Sequence, residues 1–138
     1  MKQCLCAFLL ILFAAGCRKE STVNQNNIKG TWQVYKYYLN GLDQTLLFQD
    51  EYDDYTITFN GAGAFTENYH SSVDTFNIQG TYYFTNYYQE LVLVEPIVDS
   101  MNGVVHDTAY QRQYNIFDLT GVSVQLQTDT SQLYLQKK

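Results

Sequence analysis

The chain has 138 residues, enough for one ordinary domain. Fourteen acidic side chains against eight basic ones give a net charge of −6, which repels phosphate backbones and argues against nucleic-acid binding. Thirteen tyrosines and eight phenylalanines beside a single proline favour half-buried pleated surfaces, so an all-β body with its own core is expected rather than disorder.

Met1-Lys2-Gln3 carries one positive charge, and Leu5 to Ala15 follows as an apolar run too short to span a bilayer. Ala14-Ala15-Gly16 then places small residues directly before Cys17, the order of a secretory signal over residues 1–16. Phe13-Ala14-Ala15-Gly16-Cys17 resembles the lipobox of bacterial lipoproteins. That resemblance implies a diacylglycerol on the Cys17 sulfur, cleavage just before it, and acylation of the new amine by a palmitate-type chain. Several acyl chains would hold the protein firmly on a membrane, its expected partner. An ordinary signal peptide with an incidental cysteine is the bland alternative, and the position of Cys17 after three small residues counts against it. Arg18 rather than Asp follows the cysteine, which by analogy with lipoprotein sorting implies the outer membrane, on its periplasmic face or at the cell surface. Cys4, Cys6 and Cys17 all lie in or at the end of this leader, so the body has no disulfide and must rely on packing. Residues 17–27, rich in Asn and Gln, read as a polar tether.

From residue 28 the chain reads as short strands. Gly30 to Asn40 is the first, with an imperfect alternation of Trp32, Val34, Lys36 and Tyr38 and a stop at Asn40-Gly41. Leu42 to Asp50 is open between a loop, a helical turn and a lid. The acidic run Asp50 to Asp54 lacks the spacing of a calcium loop and reads as a solvated strand start. Tyr55, Ile57 and Phe59 share one face of a strand, the turn Asn60-Gly61-Ala62-Gly63 follows, and Ala64 to Tyr69 returns with Phe65 and Tyr69 inward. Thr75 to Thr85 aligns Phe76, Ile78, Gly80, Tyr82 and Phe84, with Gly80 suggesting a bulge or bend. Glu90 to Glu95 is a strand ending at Pro96, and Ile97 to Thr108 is expected to be loose, turning at Asn102-Gly103. Ala109 to Phe117, Val122 to Leu126 and Leu133 to Leu135 complete about eight strands, which fits an antiparallel barrel or a two-sheet sandwich.

Gly30-Thr31-Trp32 at the head of such a meander resembles the lipocalin pattern. The combination with a lipobox, a polar tether and a body over residues 28–138 is similar to the small bacterial lipocalin-like lipoproteins, as are Tyr55 to Asn60 and Gly80-Thr81-Tyr82. The resemblance implies an eight-stranded up-and-down barrel. It would also place an arginine on the last strand across from the tryptophan, where this chain offers only Lys137 and Lys138.

Catalytic signals are absent from the pattern. No Gly-x-Ser-x-Gly elbow occurs, Glu67, Glu90 and Glu95 are scattered, and neither an enzyme nor a cofactor is expected. His70 and His106 are the only imidazoles; His106-Asp107 could form an oriented base or half of a metal pair, but ordinary strand-end positions are expected. Arg112 shares a face with Tyr110, Tyr114 and Ile116, and the outer, wet side is its expected position; inside, it could pair with an anionic head group. The tyrosine excess suits a barrel holding a small hydrophobic or amphipathic ligand, with Trp32, Tyr35, Tyr55, Phe59, Tyr82, Tyr114 and Arg112 as candidate lining residues. A barrel filled by its own side chains, acting as an accessory module of an envelope assembly through a loop such as Leu42 to Asp50, is the alternative.

Overall fold

A computed structural model describes residues 25–98 and 105–138, with side chains described for 25–96 and 109–138. After a helical turn at residues 25–28, the strands are β1 (Gly30–Leu39), β2 (Leu42–Asp43), β3 (Asp53–Phe59), β4 (Ala64–His70) and β5 (Thr75–Thr85). β6 (Glu90–Val98), β7 (Val105–Leu119), β8 (Ser123–Gln127) and β9 (Ser131–Lys137) complete them, and one helix, α1 (Thr45–Glu51), lies between β2 and β3. Each long strand pairs antiparallel with the next, and β9 returns to pair with β1. The sheet thus closes on itself as a barrel and not a sandwich. β2 only extends the hairpin at the end of β1, so eight strands form the wall. Closure also removes the exposed edges that would invite aggregation.

Where the alternation falters, the register explains it. Val34 pairs with Leu135 but Lys36 with Tyr134, so β1 holds one extra residue there. Such a bulge flips the phase of everything beyond it. Trp32 and Val34 therefore point inward, and so do Tyr37 and Leu39, while Tyr35 and Tyr38 pack edge-on against Tyr134 on the outer face. A second shift in β7 between Ile116 and Asp118 likewise brings Leu119 to the inside.

Two expectations need correction. Residues 97–108 are not simply loose: β6 continues through Pro96 to Val98, and Val98 pairs with Val105. Proline is accommodated because the ladder shifts register between Pro96 and Val98, where one amide donor is dispensable. The Asn102-Gly103 turn lies outside the described residues. Gly80 marks no bulge against β4, since β4–β5 runs in unbroken register past it, and the pairing of β5 with β6 begins at the next residue, Thr81. It is there for space, because a Cβ at Gly80 would meet Phe65 Cε1 at 2.7 Å and press on the Val94 carbonyl oxygen. Gly80→Ala should therefore cost about 1–3 kcal/mol in a urea titration. Shrinking Phe65 in the same chain should recover only part of this, because the Val94 carbonyl is backbone. An alanine variant as stable as the parent would sink the argument.

The inside divides into two halves. Trp32, Phe59, Phe65, Val124 and Leu135 fill one end, all fully buried. The Trp32 indole N–H donates to the Ile28 carbonyl at 2.6 Å, fastening the helical turn beneath the barrel. Lys137 Nζ lies 5.3 Å from the Trp32 ring centroid. The cation that the family resemblance would supply as arginine is thus a lysine here. Towards the other end the packing opens.

Candidate functional site

The open end holds a cavity of about 500 Å³ beneath helix α1. The helix is short; Leu46 is exposed on its outside, Leu47 is exposed at the rim of the cavity, and Phe48 turns inward. Its ring contacts Tyr37, Tyr52 and Tyr55 at centroid distances of 4.9, 4.8 and 5.5 Å. Thr45 ties the helix start to β1, its hydroxyl accepting from the Tyr37 amide at 3.0 Å. Of the three readings open for Leu42 to Asp50, the chain thus adopts a helix of seven residues that covers part of the mouth. Tyr69 and Phe76 stack at 4.9 Å on the opposite wall.

At the floor of the cavity lies a charged cluster. Glu67 is inward on β4 and 2% exposed. Arg112 on β7 donates from Nη2 to Glu67 Oε1 at 2.6 Å, and the same nitrogen contacts Glu95 Oε1 of β6. Because both carboxylates crowd one nitrogen, Arg112 Nε is buried with no partner among the described residues. Burial pushes the Glu67 carboxyl above the ordinary carboxylate range, against the pull of Arg112 and of a hydrogen bond from Tyr55. Burial also raises the Tyr55 hydroxyl well above its usual value, and the Glu67 charge adds to this. Burial opposes the Arg112 charge, but Tyr114 and Glu67 more than offset it, so the guanidinium stays protonated.

Among the residues expected at the ligand, Tyr55, Tyr114 and Arg112 line this cavity. The expected outward position of Arg112 is corrected: inward Leu93 is its cross-strand partner, and the parity of Tyr114 fixes its side. Trp32 and Phe59 do not reach the cavity, because they belong to the packed end. Tyr35 sits on the outer wall at the bulge, 44% exposed. Tyr82 donates its hydroxyl to the Asn60 carbonyl at 2.7 Å and buttresses the β3–β4 turn at the far end. Cys17 lies outside the described residues.

Glu67, Glu95, Phe48 and Tyr69 were not singled out as site residues. Parity carried the signal for the two acids, since Glu67 falls between inward Phe65 and Tyr69, and Glu95 continues Leu91 and Leu93. His70 ends β4, with Nδ1 2.8 Å from the Thr75 hydroxyl. The side chain of His106 lies outside those described. Among the described residues no group of three or more His, Cys, Asp or Glu is placed to hold a metal ion, the acidic run at 50–54 included.

An antiparallel barrel of eight strands, plugged at one end and open at the other, defines a lipocalin-like fold. Solved structures agree. The chain is similar to a lipocalin-like protein from Bacteroides uniformis, with a TM-score of 0.60 and 17% identity over 81% of this chain and 99% of that one. An uncharacterized protein from Bacteroides eggerthii is similar at a TM-score of 0.57 and 17% identity, covering 80% of this chain and 99% of that one. No protein-family model matches the chain, and no curated protein matches it.

Proposed function

We propose that this chain is a membrane-anchored lipoprotein, held by acyl chains on Cys17 at the outer membrane, whose barrel binds a small hydrophobic or amphipathic molecule. The carrying observation is the cavity of about 500 Å³, a volume in the range of small-molecule sites and lined mainly by tyrosine, phenylalanine and leucine. A convergent polar group at its floor gives such a ligand an orientation. The reading is of a binding protein and not an enzyme, because Glu67 and Glu95 are tied to Arg112 rather than arranged around a nucleophile.

Native mass spectrometry of the chain extracted from membranes in non-ionic detergent tests both halves. The expected spectrum shows acyl increments together with a discrete small-molecule adduct. Cys17→Ser should remove the increments and keep the adduct, whereas Tyr55→Ala or Tyr114→Ala should do the reverse. An unadducted mass that does not change on exposure to lipids and fatty acids would favour the second reading, an interaction module. The observation behind that alternative is the apolar outer face around α1, where Leu42 and Leu46 are exposed.

A further inference from the structure

We propose that the cavity selects an amphipathic ligand with an ammonium head group, seated against Glu95 and Glu67 among the aromatic rings, its apolar part lying towards Leu39, Leu47 and Leu133. This rests on reading the cavity as a ligand site, and deepens it by naming the ligand class.

Charge decides the class. Three carboxylates line the cavity, those of Glu51, Glu67 and Glu95, against the single guanidinium of Arg112. Arg112 is already committed to two of them through one nitrogen. An anionic head group could reach Arg112, whose side chain is 23% exposed, only by sitting beside the two carboxylates that already hold its Nη2. That arrangement leaves like charges in a partly desolvated space, which costs more than the new pair returns. A cation meets the opposite situation. The cluster carries one more carboxylate than cation, and Glu95, with 18% of its side chain exposed, remains open to the cavity.

The aromatic lining points the same way. Seven rings face this space, among them Tyr52, Tyr55, Tyr69 and Tyr110. Ring faces carry negative quadrupole density and attract ammonium groups, more strongly where water is excluded. The mouth adds long-range attraction, because Asp43, Asp50, Asp53 and Asp54 lie on β2, α1 and the start of β3, beside the opening. Carboxylates and rings together hold an amine; either alone would be ambiguous. The groups facing Glu67 are Arg112, Tyr55, Tyr114, Tyr69 and Glu95. Acid therefore weakens binding, since protonating Glu67 removes a carboxylate charge and leaves Arg112 less balanced.

Isothermal titration of the full-length chain with octylammonium, octanoate and octanol separates the possibilities, since the three share one tail. At about pH 7.5, octylammonium is expected to bind at least about tenfold tighter than octanoate. Glu95→Gln should shrink that preference to about twofold, and Glu51→Gln at the rim should shrink it less. Octanoate or octanol binding as tightly as octylammonium would overturn the head-group assignment and leave the ligand site standing. A preference that neither glutamine variant alters would overturn the seating proposed here. If none of the three binds, the ligand-site reading falls, and this inference with it.

Discussion

Arg112→Met should lower the stability of the barrel by about 3 kcal/mol at about pH 8, a large share of what a domain of this size has. The loss does not come from Arg112 contacts alone. It comes from Glu67, which is 2% exposed and would be left in the wall with only the Tyr55 hydrogen bond to hold its charge. The pH dependence identifies the cause. Burial already pushes the Glu67 carboxyl up, and Arg112 opposes that shift, so the variant raises it further. A carboxyl whose folded pKa exceeds its unfolded one binds protons better when folded. Its contribution is present below the unfolded pKa and is lost as pH rises through the folded one. The variant should therefore regain stability as pH falls from about 8 towards 5, over a wider window than the parent. Urea midpoints at a series of pH values check this, with an unchanged slope showing that the same surface unfolds. Glu67→Gln combined with Arg112→Met should restore most of the loss, because no buried charge then lacks a partner. A single variant as stable as its parent at alkaline pH would mean that Glu67 is not held by Arg112.

That cluster also shows how far the chain could be read before its structure was known. Strand positions were legible because most walls alternate cleanly: Tyr55, Ile57 and Phe59 on β3, or Val124 and Leu126 on β8, report their own faces. Barrel closure was not legible, since a sandwich has the same period. It rests on the pairing of β1 with β9, more than ninety residues apart. The extra residues in β1 and β7 reset parity without any glycine or proline to announce them. That is why Tyr37 and Leu39, off the phase of Trp32 and Val34, take the inner positions. Arg112 was set outside by the general rule that charge faces water. The rule failed because its partners come from two other strands, and a pair spanning 45 residues leaves no local trace.

The two ends of the barrel do different work, and that division sets the second large effect. An aromatic layer seals one end, so the other can stay open without loss of the fold. Trp32 is the largest piece of that seal, with no exposed surface and its indole N–H committed to the Ile28 carbonyl. Trp32→Ala should cost about 4 kcal/mol, combining lost burial, the cavity left behind and an orphaned carbonyl. Trp32→Phe should cost clearly less, because a ring remains between Ile57 and Lys137 even though the hydrogen bond is gone. Urea titration followed by far-ultraviolet circular dichroism measures both, since the chain has no other tryptophan to report unfolding. Ligand affinity supplies the contrast. The cavity is lined by Tyr55, Glu67 and Arg112 and not by Trp32, so Trp32→Phe should bind within about twofold of the parent while being less stable. An equal fall in affinity and stability would show that the sealed and open ends are one cooperative site. Separate effects would show that the packed end is a foundation and the open end is free to specialise.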